Sequence, residues 1–325
     1  MDVLSDVLLA VHLTGAVFFD VDARSPFTTE SPPAAVIAKR FGTNADHVIG
    51  FHVVTEGSCW AESVDRPGQP VLLHTGDMVI FPGGDANTMG SSPGMRGKPD
   101  LSLFYHPLET TLPINIGMNQ GADADRCRFV CGYLACDARP FNPLLESLPD
   151  IVFGPVSAEA WRWMAALLDA AIEASAGHDA GREAMLAKAS ELVFVEVLRE
   201  HIANLPPDTR NWVAGLRDAQ VGAALRVIHR RFAEPWTMDL LAHEVGMSRS
   251  SFADRFTSFA QVPPMGYLTR WRLQLAARLL QDGSRSVAQA AAAVGYQSES
   301  AFNRAFKRQV GVAPGVWRRE LHAVG

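Results

Sequence analysis

The stretch from Thr237 to Trp317 repeats itself at a period of about 50 residues, and that repeat leaves the chain few ways to fold there. TMDLLAHEVG (237–246) lies over SVAQAAAAVG (286–295), a hydroxyl residue opening each segment and a glycine closing it. Phe252 and Phe256 answer Phe302 and Phe306, Val262 and Pro264 answer Val312 and Pro314, and Tyr267 answers Trp317. Each copy reads as helix, sharp turn, helix. Thr237 and Ser286 suit the N-cap, where a side-chain oxygen accepts from orphan amides of the first turn. Gly246 and Gly295 stand where the first helix stops, since glycine takes the left-handed conformation at little cost. Ser248 and Ser298 then cap a second helix, with Phe252, Phe256 and Phe259 inward in one copy and Phe302, Ala305, Phe306 and Val310 in the other. Its outward face stays polar: Ser250, Ser251, Asp254, Arg255 and Ser258, then Ser300, Asn303, Arg304 and Lys307. A short helix pair offering a polar second helix to solvent suits major-groove reading.

Between the copies, PMGYLTRWRLQLAARLLQ (264–281) predicts a helix with a proline at its first position and apolar residues at 268, 271, 275 and 279. Eighteen residues at 1.5 Å each make a rod of about 27 Å. That length is of the order needed to hold two reading helices in neighbouring major grooves, ~34 Å apart on one side of the duplex. A helical bundle without a nucleic-acid role would not need polar faces matched in both copies.

On these residues the chain resembles a known family. Residues 217–321, including GMSRSSFADRF, PMGYLTRWRLQLAARLL and SVAQAAAAVGYQSESAFNRAFKRQVGVAPGVWRR in that order, resemble the DNA-binding domain of AraC/XylS-type transcription regulators. The resemblance implies binding to double-stranded promoter DNA through two helix-turn-helix units. It puts Ser250, Ala253 and Asp254 of the first reading helix and Glu299, Ser300, Asn303 and Arg304 of the second toward bases, with Arg249, Arg255 and Lys307 as further DNA contacts. Asp254 departs from the family pattern, where a basic or amide residue is usual. A carboxylate accepts from cytosine N4 but repels phosphate, so the first unit is expected to bind more weakly than the second.

Charge divides the chain in the same place. Residues 217–325 hold 15 Lys and Arg against 8 Asp and Glu, whereas 1–216 hold 14 against 27, inside a total of −6. Only the C-terminal third is suited to a polyanion. The 325-residue length predicts two domains, and 48% hydrophobic residues suffice for real cores. There is no apolar run of membrane-spanning length and no signal-peptide pattern at the start, so a cytoplasmic protein with no membrane partner is expected.

Residues 1–145 read as mostly β. GAVFFDVDA (15–23), HVIGFHVVTEG (47–57), VLLHTGDMVIFPGG (71–84) and CRFVCGYLAC (127–136) are rich in Val, Ile and Phe and bounded by turn residues. Such strands predict a closed or two-sheet barrel. Gly76, Pro82 and Gly84 have the spacing of a cupin signature, and CGYLACDARPFNPLLESLP carries a resemblance to the cupin-type sensor half of one branch of these regulators. That signature implies a metal-ligand histidine at position 87, where this chain has Asn87, and His47, His52 and His74 stand singly. Metal sites need several convergent ligands, so no metal and no cofactor are expected. His52 and His74 are kept as pocket-lining candidates for an effector.

All four cysteines, Cys59, Cys127, Cys131 and Cys136, fall in this half. Cytosolic cysteine is commonly a small buried apolar residue. The alternative is redox sensing through Cys59, Cys127 or Cys131, which the family resemblance makes relevant. On one strand Cys127 and Cys131 share a face about 13 Å apart, too far for a disulfide, so a bridge would need Cys59 or a rearrangement. Residues 86–126 read as a long polar loop, a lid or a plain insertion.

From Ser157 the pattern turns helical. Residues 158–175 and 181–205 form an expected hairpin around the break AGHDAG, with Trp161, Met164, Leu168 and Ile172, then Met185, Ala189, Leu192, Val195 and Val197, as its apolar faces. It either covers the barrel or, as the resemblance favours, makes a homodimer seam.

The expected architecture is therefore α+β with two domains. A cupin-like β-barrel (1–150) and helical hairpin (157–204) form a sensor domain over 1–204, 205–216 form a linker, and 217–325 form an all-α double helix-turn-helix domain. The function expected is a transcription regulator controlled by a small effector or oxidant acting on the barrel, meeting RNA polymerase if it activates. The alternatives are a constitutive DNA-binding protein whose barrel is only a dimerisation scaffold, and a metal-dependent cupin enzyme fused to a DNA-binding domain. No coherent acid, base, nucleophile or ligand set is readable, which disfavours the enzyme.

Overall fold

The computed structural model describes residues 2–11, 13–38, 47–104, 113–119, 124–155, 157–173, 181–281, 283 and 285–322. Two compact units are present, and they are not serial in the sequence. One comprises Leu13–Cys136 and Leu148–Asn204; the other comprises Met1–His12, Asp137–Ser147 and Leu205–Gly325. The start of the chain, expected to belong to the β half, is a helix, Val3–Ala10 (α1), capped by the Asp2 carboxylate on the Ser5 amide.

The first unit carries Thr14–Arg24 (β1), Thr28–Ser31 (β2), the short helix Ala34–Ala38 (α2), His47–Glu56 (β3), Ser58–Ser63 (β4), Val71–His74 (β5), Asp77–Phe81 (β6), Asn87–Gly90 (β7), Ile114–Met118 (β8), Arg126–Cys136 (β9) and Val152–Pro155 (β10). They form two sheets, ordered β10-β6-β3-β9-β1-β8 and β2-β7-β4-β5. Phe19, Val21, Val54, Phe81, Met89 and Phe129 are among the side chains of the core cluster in this unit.

Two expectations are corrected here. The run 71–84 is two strands, because Gly76 at φ +92° turns the chain after His74. Residues 86–126 are not one loop. β7 lies inside the smaller sheet, paired with both β2 and β4, and β8 pairs parallel with β1. Residues 105–112 and 120–123 of that stretch lie outside the described residues.

Ala158–Glu173 (α3) and Arg182–Asn204 (α4) follow. The buried stripe of α4 is Leu186, Ala189, Val193, Phe194, Val197 and Leu198, while Met185 and Leu192, expected inward, are exposed and Val195 is half-buried. Met164 of α3 is buried; the side chains of Leu168 and Ile172 and the break at 176–180 lie outside the described residues.

The second unit contains α1, Trp212–Gly215 (α5), Ala219–Arg230 (α6), Met238–Glu244 (α7), Arg249–Ala260 (α8), Pro264–Gln281 (α9), Val287–Ala293 (α10), Glu299–Val310 (α11) and Pro314–His322 (α12). The expected linker 205–216 is partly core, since α5 buries Trp212 and Val213. Helix α9 is buried on more than the expected stripe. Leu268 and Trp271 are covered, and so are Leu273, Gln274, Ala276, Ala277 and Leu280, whereas Leu275 and Leu279 are only partly so.

Candidate DNA-binding interface

Both helix pairs form as their spacing requires. Thr237 Oγ1 accepts from the Leu240 amide, and Ser286 and Gln289 make a reciprocal capping box. Gly246 at φ +67° and Gly295 at φ +85° end α7 and α10. At Gly295 a Cβ would stand 2.4 Å from the Ala233 carbonyl oxygen, so packing as well as torsion demands glycine. Ser248 and Ser298 accept from the Ser251 and Ala301 amides at 3.3 Å and cap α8 and α11.

Phe252, Phe256 and Phe259 anchor α8 inward, and Phe302 and Phe306 anchor α11. The opposite faces carry the expected residues. Arg249, Ser250, Asp254 and Arg255 are exposed on α8 with Ala253 half-buried; Glu299, Ser300, Arg304 and Lys307 are exposed on α11 with Asn303 half-buried. Asn303 Oδ1 is covered and has no hydrogen-bond partner among the described residues, so one amide acceptor on this face is unsatisfied. The Ser300 hydroxyl lies 2.7 Å from that of Ser298, which steadies it at the start of α11.

The two faces differ in what their cations hold. On α8, Arg249 pairs with Asp239 at 3.2 Å, and Arg255 is gripped by Asp218 through Nε and Nη2 at 3.1 and 2.5 Å. Asp218 also caps α6 through the Gln220 and Val221 amides. Burial raises the Asp218 carboxyl's pKa, but the Arg255 bond and those amides hold it below the ordinary carboxylate value. Arg255 thus ties α8 to the start of α6. On α11, Arg304, Lys307 and the further exposed Arg308 have no ion-pair partner among the described residues. Arg308 answers Ser258 in the repeat and was not among the expected DNA contacts.

A cleft of about 340 Å³ flanks the C-terminal half of α8, walled by Pro206, Pro207 and Phe259 with Arg210, Arg217, Arg255 and Asp218 at its polar side. Behind α9, the Trp212 indole N–H donates to Tyr267 Oη at 2.9 Å, and that oxygen lies 2.9 Å from His229 Nε2. The hydroxyl therefore donates to Nε2, leaving the His229 proton on Nδ1, 3.8 Å from Asp6. Burial pushes His229 down to about 3, so it is neutral.

In the sheet unit, His52 and His74 part company. His74 is exposed and does not line the interior, because its strand turns the side chain outward. His52 is buried, with Nδ1 2.9 Å from Cys131 Sγ and Nε2 2.8 Å from Asn87 Oδ1. Asn87 Oδ1 can only accept, so His52 donates from Nε2 and its Nδ1 accepts a hydrogen bond from the Cys131 thiol. Asn87 continues the chain by donating to the Asp85 carbonyl at 3.2 Å. Burial holds His52 at about 4 and pushes the Cys131 thiol well up, so both are neutral. Cys59 and Cys127 hydrogen-bond each other, and that bond with burial raises the Cys59 thiol too. All four cysteines are buried and unbridged. No group of three or more His, Cys, Asp or Glu suited to a metal ion occurs among the described residues.

Comparison with known proteins agrees with both halves. Residues 2–203 match a cupin family and residues 241–320 a helix-turn-helix domain family. An AraC-like transcription regulator of Streptomyces lividans is 32% identical over 98% of both chains. The HTH-type transcriptional regulator AlkR of Acinetobacter baylyi is 27% identical over 98% of this chain and 100% of its own. The RCS-specific HTH-type transcriptional activator RclR of Escherichia coli is 27% identical over 84% of this chain and 85% of its own.

Proposed function

The chain belongs to the AraC-type transcription regulators that carry an N-terminal cupin domain, and we infer that a small effector or an oxidant acting on the cupin domain sets its occupancy of promoter DNA. It is a DNA-binding regulator with two helix-turn-helix readers. The observation that carries control by the cupin half is the buried Cys131–His52–Asn87 hydrogen-bond chain in the sheet unit. A buried polar chain is costly unless every member is satisfied, and it is sensitive to any group that displaces one of them. Asn87 in place of a ligand histidine speaks against a metal-dependent enzyme, and the protein acts without catalysis of its own.

Bases are read by Ser250, Ala253, Asp254, Glu299, Ser300, Asn303 and Arg304, with Arg249 and Lys307 toward phosphates. The protein works as a homodimer in the cytoplasm and meets RNA polymerase where it activates. Trp163, Met185 and Leu192, exposed on α3 and α4, support dimerisation through the hairpin; among the described residues no helix is long and apolar enough to cross a membrane. The testing experiment is a promoter-binding screen of the purified protein with and without candidate small molecules and thiol oxidants. Occupancy that changes with one of them supports effector control. Identical occupancy throughout favours the constitutive reading.

A further inference from the structure

Gln274 is an amide in the middle of α9, 1% exposed, and both ends of it are used. Its Nε2 donates to the Ala10 carbonyl at 3.2 Å, and its Oε1 accepts from the Phe141 amide at 3.0 Å. The first partner is at the C-terminus of α1, where helix carbonyls lack intrahelical donors. Arg278, one turn further along α9, donates to the neighbouring Leu9 carbonyl at 2.5 Å. The second partner sits in the segment 137–147, which is locked on itself by Asn142, bonded to the Asp137 carbonyl and the Leu145 amide. Phe141 meets Tyr267 edge-on at 5.3 Å and lies under the Arg270 guanidinium at 5.6 Å.

These two segments share one property. Each runs directly into a central strand of the cupin sheet: α1 leads to β1, and β9 leads into 137–147. The Asp137 amide bonds the Val11 carbonyl at 2.8 Å, and β1 pairs with β9 from Thr14 against Ala135 onward. β9 also carries Cys131, the thiol end of the His52 chain. Helix α9 also packs with both readers' helices, α8 near Tyr267 and α10 and α11 near Leu273–Leu280.

We infer that Gln274 is the positioning residue through which the state of the cupin half reaches both DNA readers, by fastening the entry to β1 and the exit from β9 to the helix the readers share. This rests on the reading that the cupin half controls promoter occupancy. A single amide serves both attachments, so displacing β9 or β1 changes the hold on α9 and the angle between the readers.

The test needs no known effector, because coupling between sites is reciprocal. Full-length wild-type protein and Gln274→Met, a volume-matched change that removes both polar functions, are compared by hydrogen exchange with and without a duplex selected in vitro by the wild type. Expected for the wild type is a change of about threefold or more in exchange at 14–16 and 132–136 when DNA is added. Expected for the variant is DNA binding within about threefold of wild type, with the strand response gone. Should the methionine variant fail to fold, Gln274→Asn, which withdraws the amide by one methylene, serves the same comparison. A variant whose strands respond like wild type overturns the role of Gln274 and leaves effector control standing. Wild-type strands that ignore DNA overturn both.

Discussion

Asp218 holds Arg255 and the first amides of α6 with the same carboxylate, so one of the first reader's two exposed arginines is committed to the fold. Asp218→Ala removes an N-cap and is expected to cost about 1–2 kcal/mol in urea denaturation, whereas Asp218→Asn keeps the cap and costs less than about 1. Releasing Arg255 is also expected to steepen the salt dependence of DNA binding, by up to about 0.9 in the log–log slope, if the freed guanidinium takes a phosphate. An Asp218→Ala protein of wild-type stability would contradict the structural role.

Among the described residues, Arg304 and Lys307 of the second reader have no ion-pair partner, whereas Arg249 and Arg255 of the first are paired. Arg304→Ala is therefore expected to weaken binding to a selected duplex by about 1–3 kcal/mol and to relax discrimination at one base position. Asp254→Asn, by removing a carboxylate from the face that meets DNA, is expected to tighten it. Gel-shift titrations against the selected and single-substituted duplexes decide both. Unchanged discrimination in the Arg304 variant would remove that residue from base reading.

Burial and raised thiol pKa values predict slow chemistry at Cys59 and Cys131 in the native protein. Iodoacetamide at neutral pH is expected to label them only as fast as the protein unfolds, and all four cysteines once it is denatured. Rapid native labelling of Cys131 would mean that the His52 chain opens readily. In a promoter reporter, a normal oxidant response from Cys131→Ser would eliminate this thiol as a sensor.

His52 and His229 are neutral in the fold, at about 4 and about 3, against 6.5 for an ordinary histidine. The unfolded chain binds more protons between those values, so stability rises with pH across that window and is lost as pH falls below about 6.5. At pH 5 each histidine can account for up to about 2 kcal/mol of lost stability. Urea midpoints at pH 7 and 5 test this, with His229→Gln expected to flatten part of the dependence. A midpoint that rises on acidification contradicts the sign.

Local spacing made the readers legible. Caps, glycines and phenylalanines within one repeat decide those helices, and they act over three to ten residues. What escaped depends on distant partners. Gln274 looks like any polar residue of an amphipathic helix because its partners are 133 and 264 residues away. Nothing near Arg255 marks it as the partner of Asp218, because that carboxylate lies 37 residues upstream. On α4, Ala189 and Val197 are buried as expected, but Leu186 replaces Met185 and Val193 replaces Leu192, because these are apolar neighbours and only packing chooses between them. β7, with the sequence NTMG, has little strand character and is held by its two neighbours in the sheet. His52 and Asn87 gave no motif because they converge from different strands.

We propose that α8 and α11, joined by the 18-residue α9, read consecutive turns of one duplex. The most direct measurement is methylation interference on a selected duplex with wild-type protein and Arg304→Ala. Two major-groove windows are expected on one face, about 10 base pairs apart, and the arginine substitution should weaken only one of them. A single window, or two that both ignore the substitution, would contradict the account.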